Sequence, residues 1–97
     1  MKSILQHRIK CLRCNETRNL ECHHVFEGSM RQRSEKYGLT VWLCKAHHTG
    51  DIHGNKYAVH FNTKFDRALK RYAQKKAMEH YGWTVEEFIQ NIGRSYL

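Results

Sequence analysis

The chain has 97 residues, 40% of them hydrophobic, and a formal charge of +8 from 17 basic and 9 acidic side chains. That length fits one domain, with a core small enough that an added covalent or metal staple is expected. The opening residues Met1 to Arg8 are too polar for a secretory leader, and no apolar run approaches the ~20 residues of a membrane span, so a soluble cytoplasmic protein without a membrane partner is expected. In a reducing compartment four cysteines point to metal rather than disulfides. The excess of positive charge points to a polyanionic partner, nucleic acid first.

All four cysteines and seven of the eight histidines precede residue 61, and helical sequence follows it, so residues 11–60 and 61–97 read as two parts of one domain. Cys11-Leu12-Arg13-Cys14 has the form of a tight metal knuckle. Leu20 to Phe26 is expected as a short strand, residues 27–38 as a polar basic loop, and Leu39 to Cys44, β-branched and aromatic, as a second strand. A helical turn over Lys45 to Thr49 should lead into a glycine-bearing loop at 50–55. Thr63 and Asp66 come close to a capping box, and Phe65, Leu69, Tyr72 and Ala73 trace an apolar face on a helix that should stop at Gly82. Thr84 with Glu87 completes a second capping box, with Trp83 and Phe88 at the staple positions, so a final helix is expected over Val85 to Ile92.

Cys11-x2-Cys14 and Cys44-x2-His47 are separated by 29 intervening residues. Zinc takes four thiolate or imidazole ligands in a tetrahedron, and an x2 spacing lets both members of a pair reach one ion. Such a site would tie the N-terminal arm to the second strand and supply folding energy. Cys22 is the alternative to His47 as fourth ligand.

Two adjacent histidines, His23 and His24, are followed beyond the second strand by His48 and His53. Phosphodiester hydrolysis needs a base for water and a cation for the phosphate, and imidazole suits the first role and can share in the second. His7, His60 and His80 are expected to be ordinary surface residues.

Leu20-Glu21-Cys22-His23-His24-Val25-Phe26, then Leu43-Cys44-Lys45-Ala46-His47-His48 and Asp51-Ile52-His53, resembles the HNH (His-Me finger, ββα-metal) nucleases, in the small phage or prophage form with a structural zinc. The resemblance covers roughly residues 11–97 and is diagnostic over 11–53. It implies an α+β fold with a zinc-stabilised treble-clef/ββα-metal core and two C-terminal helices. It implies a DNA endonuclease in which His24 is the general base, while His23 with His48, His53 or both holds Mg²⁺ or another divalent cation. Cleavage would leave 3′-hydroxyl and 5′-phosphate ends. The family's middle asparagine, which helps orient the base, has no counterpart just before Cys44, where a backbone carbonyl could take its place.

Lys64, Arg67, Arg71 and Lys75 form one stripe on the long helix, and Arg31, Arg33 and Lys36 crowd the segment between the strands. Contacts from such residues to phosphates give affinity without base readout, so little sequence specificity is expected. A homodimer or a larger phage nucleoprotein machine is a conceivable assembly. The alternative function is non-catalytic: a zinc-stabilised module that binds nucleic acid or a protein partner.

Overall fold

The computed structural model describes residues 2–97, a small α+β domain. Strands β1 (Leu20–His24) and β2 (Thr40–Cys44) form an antiparallel pair in unbroken register, from Leu20 opposite Cys44 to His24 opposite Thr40. A lone two-stranded sheet is marginal in water. This one is supported by the buried Val41 and Leu43 of β2, continuous with Val25, Phe26 and Leu39 just outside the strands. Removing each of these larger side chains from water contributes about 2 kcal/mol.

The connection between the strands differs from the expected loop. It holds a 3₁₀ turn at Gly28–Met30 and helix α1 (Arg31–Tyr37). The local sequence has no apolar periodicity, and the helix is fixed instead by bonds to the rest of the chain. The buried Ser34 hydroxyl accepts the Phe26 N–H at 3.0 Å and donates to the Phe26 carbonyl at 2.8 Å. Arg33 donates to the Ile92 carbonyl at 3.0 Å, and Tyr37 donates to Asn91 at 3.0 Å. Gly38 ends the helix at φ 71°, where a Cβ would lie 2.6 Å from the Lys2 carbonyl oxygen, so only glycine fits.

Helix α2 (Lys45–His48) continues directly from β2. A loop and a 3₁₀ turn at Val59–Phe61 then lead to α3 (Thr63–Tyr81), which ends at a left-handed Gly82 as expected. Its cap is Asn62 rather than Thr63: the Asn62 side chain accepts the Phe65 N–H, while Asp66 turns to Lys70. The buried face of α3 is Leu69, Ala73 and Ala77, and Tyr72 stays 41% exposed.

Helix α4 (Val85–Ile92) carries the reciprocal Thr84–Glu87 capping box, and Trp83 meets Phe88 at 6.4 Å between ring centres. Phe88 packs edge-on against Phe26 at 5.6 Å, which locks α4 to the segment after β1. Among the described residues no helix is long and apolar enough to cross a membrane.

Candidate metal centres and catalytic cleft

Cys11, Cys14, Cys44 and His47 bring their ligand atoms within 4.8 Å of one another, close enough to hold one metal ion. The knuckle reaches this position because the Cys11 N–H bonds to the Glu16 carbonyl at 2.7 Å and the Leu12 N–H to the Trp42 carbonyl at 2.9 Å. Cys44 closes β2, and His47 lies on the first turn beyond it. The Cys14 and Cys44 sulfurs are 3.7 Å apart, and His47 Nδ1 lies 3.1 Å from Cys44 Sγ and 3.7 Å from Cys11 Sγ. A tetrahedron of zinc–sulfur bonds has edges of about 3.8 Å, so the donor set and spacing suit zinc.

Burial opposes ionisation of Cys11, but the backbone N–H groups of Cys44, Cys14 and Arg13 outweigh it and hold the thiol below its usual value. Burial and the neighbouring cysteines push the Cys44 thiol up to about 11. Crowded thiols resist joint ionisation, and a bound cation reverses that preference. Cys22, the alternative ligand, is outside this group and lines a different cleft.

That cleft, of about 300 Å³, holds a second cluster: His23, His48 and His60. His48 Nδ1 lies 2.9 Å from Glu21 Oε1 and His60 Nδ1 lies 3.2 Å from Glu27 Oε2. A carboxylate can only accept, so each Nδ1 carries the proton and each Nε2 is left with its lone pair in the neutral ring. Those two Nε2 atoms face each other at 3.0 Å. Two lone pairs at that distance repel unless a cation or a shared proton lies between them.

His23 completes the group. It is 1% exposed, and its Nε2 is buried without a hydrogen-bond partner. Burial, then the neighbouring His48, His60 and Lys70, push its pKa down to about 3, so the ring is neutral at ordinary pH. Three imidazoles, two of them backed by carboxylates, are the donor pattern of a transition ion with open positions for water and substrate.

Mg²⁺, the first cation expected, prefers oxygen ligands. The nearest oxygen-bearing group is His23, Glu27 and Asp66. Both carboxylates there are already held by Lys70, at 3.1 Å and 2.8 Å.

The family resemblance implies His53 as an ion ligand, and His60 is expected to be an ordinary surface residue. In the structure His60, though exposed, joins the imidazole group, and His53 does not. An Asp51–Gly54 bridge makes a tight turn whose tip is solvent-exposed, with Ile52 at 95% exposure, and the His53 N–H is bonded to the Asp51 side chain. Among the described residues His53 joins no group of ligating side chains.

His24 lines the same cleft as His23 although neighbouring strand residues face opposite ways. The register has no bulge; His24 is the last residue of β1, and at that strand end Cys22, His23 and His24 all border the one cleft. The His24 side chain is 14% exposed, and its Nε2 lies 2.7 Å from Glu35 Oε2. Arg31, at the start of α1, borders the cleft as well.

A smaller hollow of about 150 Å³ shares Glu27 and His60 with this cleft and Asp66 with a third one of about 340 Å³. The third is lined by Arg67, Lys70, Arg71 and Arg94. It is held in shape by the buried Gln74, which accepts the Tyr96 N–H at 2.7 Å and donates to Ser95 at 3.0 Å. The three hollows thus share wall residues in series, from the cleft bordered by His24 to the basic one. Of the other basic residues expected at a nucleic-acid surface, Lys64 and Lys75 are exposed on α3 and Lys36 sits over the Tyr37 ring. Arg33 is engaged by the Ile92 carbonyl.

Compared with known proteins, the chain matches no family model, no curated protein and no solved structure.

Proposed function

We propose that the chain is a metal-dependent endonuclease of the HNH type on a zinc-held treble-clef/ββα-metal scaffold. Cys11, Cys14, Cys44 and His47 hold the structural zinc. His23, His48 and His60 hold the catalytic ion, and His24 is the general base. The observation that carries this reading is the convergence of three imidazole nitrogens, one of them buried and unpaired, in one cleft with His24.

When bound, a divalent ion would offset the charge of the scissile phosphate and of the leaving oxygen. The rest falls to the chain. His24 Nδ1 takes a proton from water; the water oxygen forms its bond to phosphorus as the bond to the 3′ oxygen breaks. The 3′ oxygen is then protonated from solvent, leaving a 3′-hydroxyl and a 5′-phosphate. Arg31 at the cleft mouth binds a phosphate oxygen, and Arg67, Arg71 and Arg94 hold the strand at the basic hollow without reading bases.

The test is cleavage of supercoiled plasmid with Mn²⁺, Ni²⁺, Zn²⁺ or Mg²⁺, running wild type beside His24→Ala and His60→Ala. Wild type should nick or linearise the plasmid with a transition ion. Both variants should fail while keeping one tightly bound zinc and unchanged DNA affinity. A wild type that binds DNA and cuts it with none of the ions would replace catalysis with the binding-module reading.

A further inference from the structure

We infer that Glu35 is the positioning residue of His24: its carboxylate accepts the Nε2–H and so leaves Nδ1 as the proton acceptor facing the cleft. This role rests on the nuclease reading above, and it fills the place left by the missing asparagine with a side chain from a different element.

The bond itself is short, 2.7 Å between His24 Nε2 and Glu35 Oε2. An ionised carboxylate has no proton to give, so the imidazole must donate, which selects the Nε2–H tautomer. Among the described residues no hydrogen bond is made to His24 Nδ1. Its ring is 14% exposed, and the side chain borders the same cleft as the three imidazoles. A base held this way presents one lone pair in one direction. The positive charge that arises when it takes a proton lies against a fixed negative one.

Glu35 can serve this way because α1 is rigidly attached. Ser34, the residue before it, makes two hydrogen bonds with the backbone of Phe26, only two positions beyond His24. The Leu39 N–H bonds to the Ser34 carbonyl at 2.8 Å and ties the far side of the helix to the entry of β2. Arg33 and Tyr37 anchor the same helix to the end of α4. Glu35 is thus carried on a turn referenced at several points to the strand that bears His24. A glutamate on a mobile loop would not hold the ring this closely. At 52% side-chain exposure it can be changed without opening the core.

The experiment uses the full zinc-loaded chain and two readouts. Ring nitrogen shifts in ¹⁵N-labelled protein report the His24 tautomer, with the signal assigned by its loss in His24→Gln. Steady-state cleavage reports kcat and KM. Wild type should show the Nε2–H tautomer alone. Glu35→Gln, which is isosteric and can donate as well as accept, should admit the Nδ1–H tautomer. It should also lower kcat at least tenfold at saturating DNA with KM unchanged, and by no more than the about 10²–10⁴ that a general base is worth.

An Nδ1–H ring in wild type overturns the inference. So does a Glu35→Gln protein with unaltered tautomer and kcat, and in that case the nuclease reading survives. A wild type that cuts nothing overturns that reading and the positioning role with it, whatever the tautomer.

Discussion

Replacing His23 by leucine should make the protein more stable while no ion sits among the imidazoles. The ring is almost wholly buried and its Nε2 has no partner. An unsatisfied buried polar group costs about 1–3 kcal/mol, and an apolar side chain of similar size removes that penalty. At neutral pH the variant should therefore gain about 1–3 kcal/mol. Acid widens the gap. The folded-state pKa of His23 is about 3, below the 6.5 of the free side chain, so the unfolded chain takes up the proton first as pH falls. Wild type thus loses stability progressively below pH 6.5, by about 2 kcal/mol at pH 5 at 1.36 kcal/mol per pKa unit, and His23→Leu does not.

Urea unfolding of both proteins at pH 7.5 and pH 5, each with one equivalent of zinc, measures the difference. The four-residue centre is common to both and cancels. A variant less stable than wild type by more than about 1 kcal/mol at both pH values, with no change in the gap, would refute the reasoning. It would mean that His23 is satisfied where it sits and is not held ready for a ligand. The expected result is a residue that lowers stability in exchange for ion binding.

Removing zinc with a strong chelator should unfold the chain, because structural zinc supplies about 10–16 kcal/mol, comparable to or larger than the whole stability of a small domain. Loss of far-UV circular dichroism in step with zinc release is the measurement. Ser34→Ala should cost about 1–3 kcal/mol in thermal or urea unfolding by leaving the buried Phe26 N–H without its acceptor. Changing Arg67, Arg71 and Arg94 together to glutamine should weaken DNA binding at low salt. It should also reduce the slope of log affinity against log salt by about 0.9 for each duplex phosphate that is no longer neutralised. An unchanged slope would remove the basic hollow from the DNA path.

Much of the frame could be read from local signals. The two x2 pairs come together because each pair is fixed by one turn of chain, and the last two helices carry their stop or start residues in sequence. Helix α1 has no such local code. Arg31 to Tyr37 contains no apolar stripe, and what makes it helical is a buried serine, an arginine and a tyrosine bonded to distant backbone and side-chain groups. Glu35 is hidden from sequence for the same reason.

His60 gives no sequence signal because it stands alone, twelve positions beyond His48 and past an irregular loop. Only the 3₁₀ turn at Val59–Phe61 brings it back beneath His23. His53, by contrast, is implied by the family resemblance, but the Asp51–Gly54 turn leaves that stretch exposed to solvent. The Glu21 and Glu27 partners of the imidazoles cannot be inferred from sequence, since acidic residues near a strand usually mean only solvation.

His47 and His48 are consecutive, yet one reaches the cysteines and the other the imidazole cluster. A single turn of helix thus serves both candidate centres at once. An ion that fixes His47 narrows the positions open to His48, and an ion drawn to His48 bears in turn on the cysteine centre. Such coupling is reciprocal by thermodynamic necessity. With zinc on the cysteines and a second ion on the imidazoles, as proposed, filling or emptying one site would change the affinity of the other by the same factor in either direction.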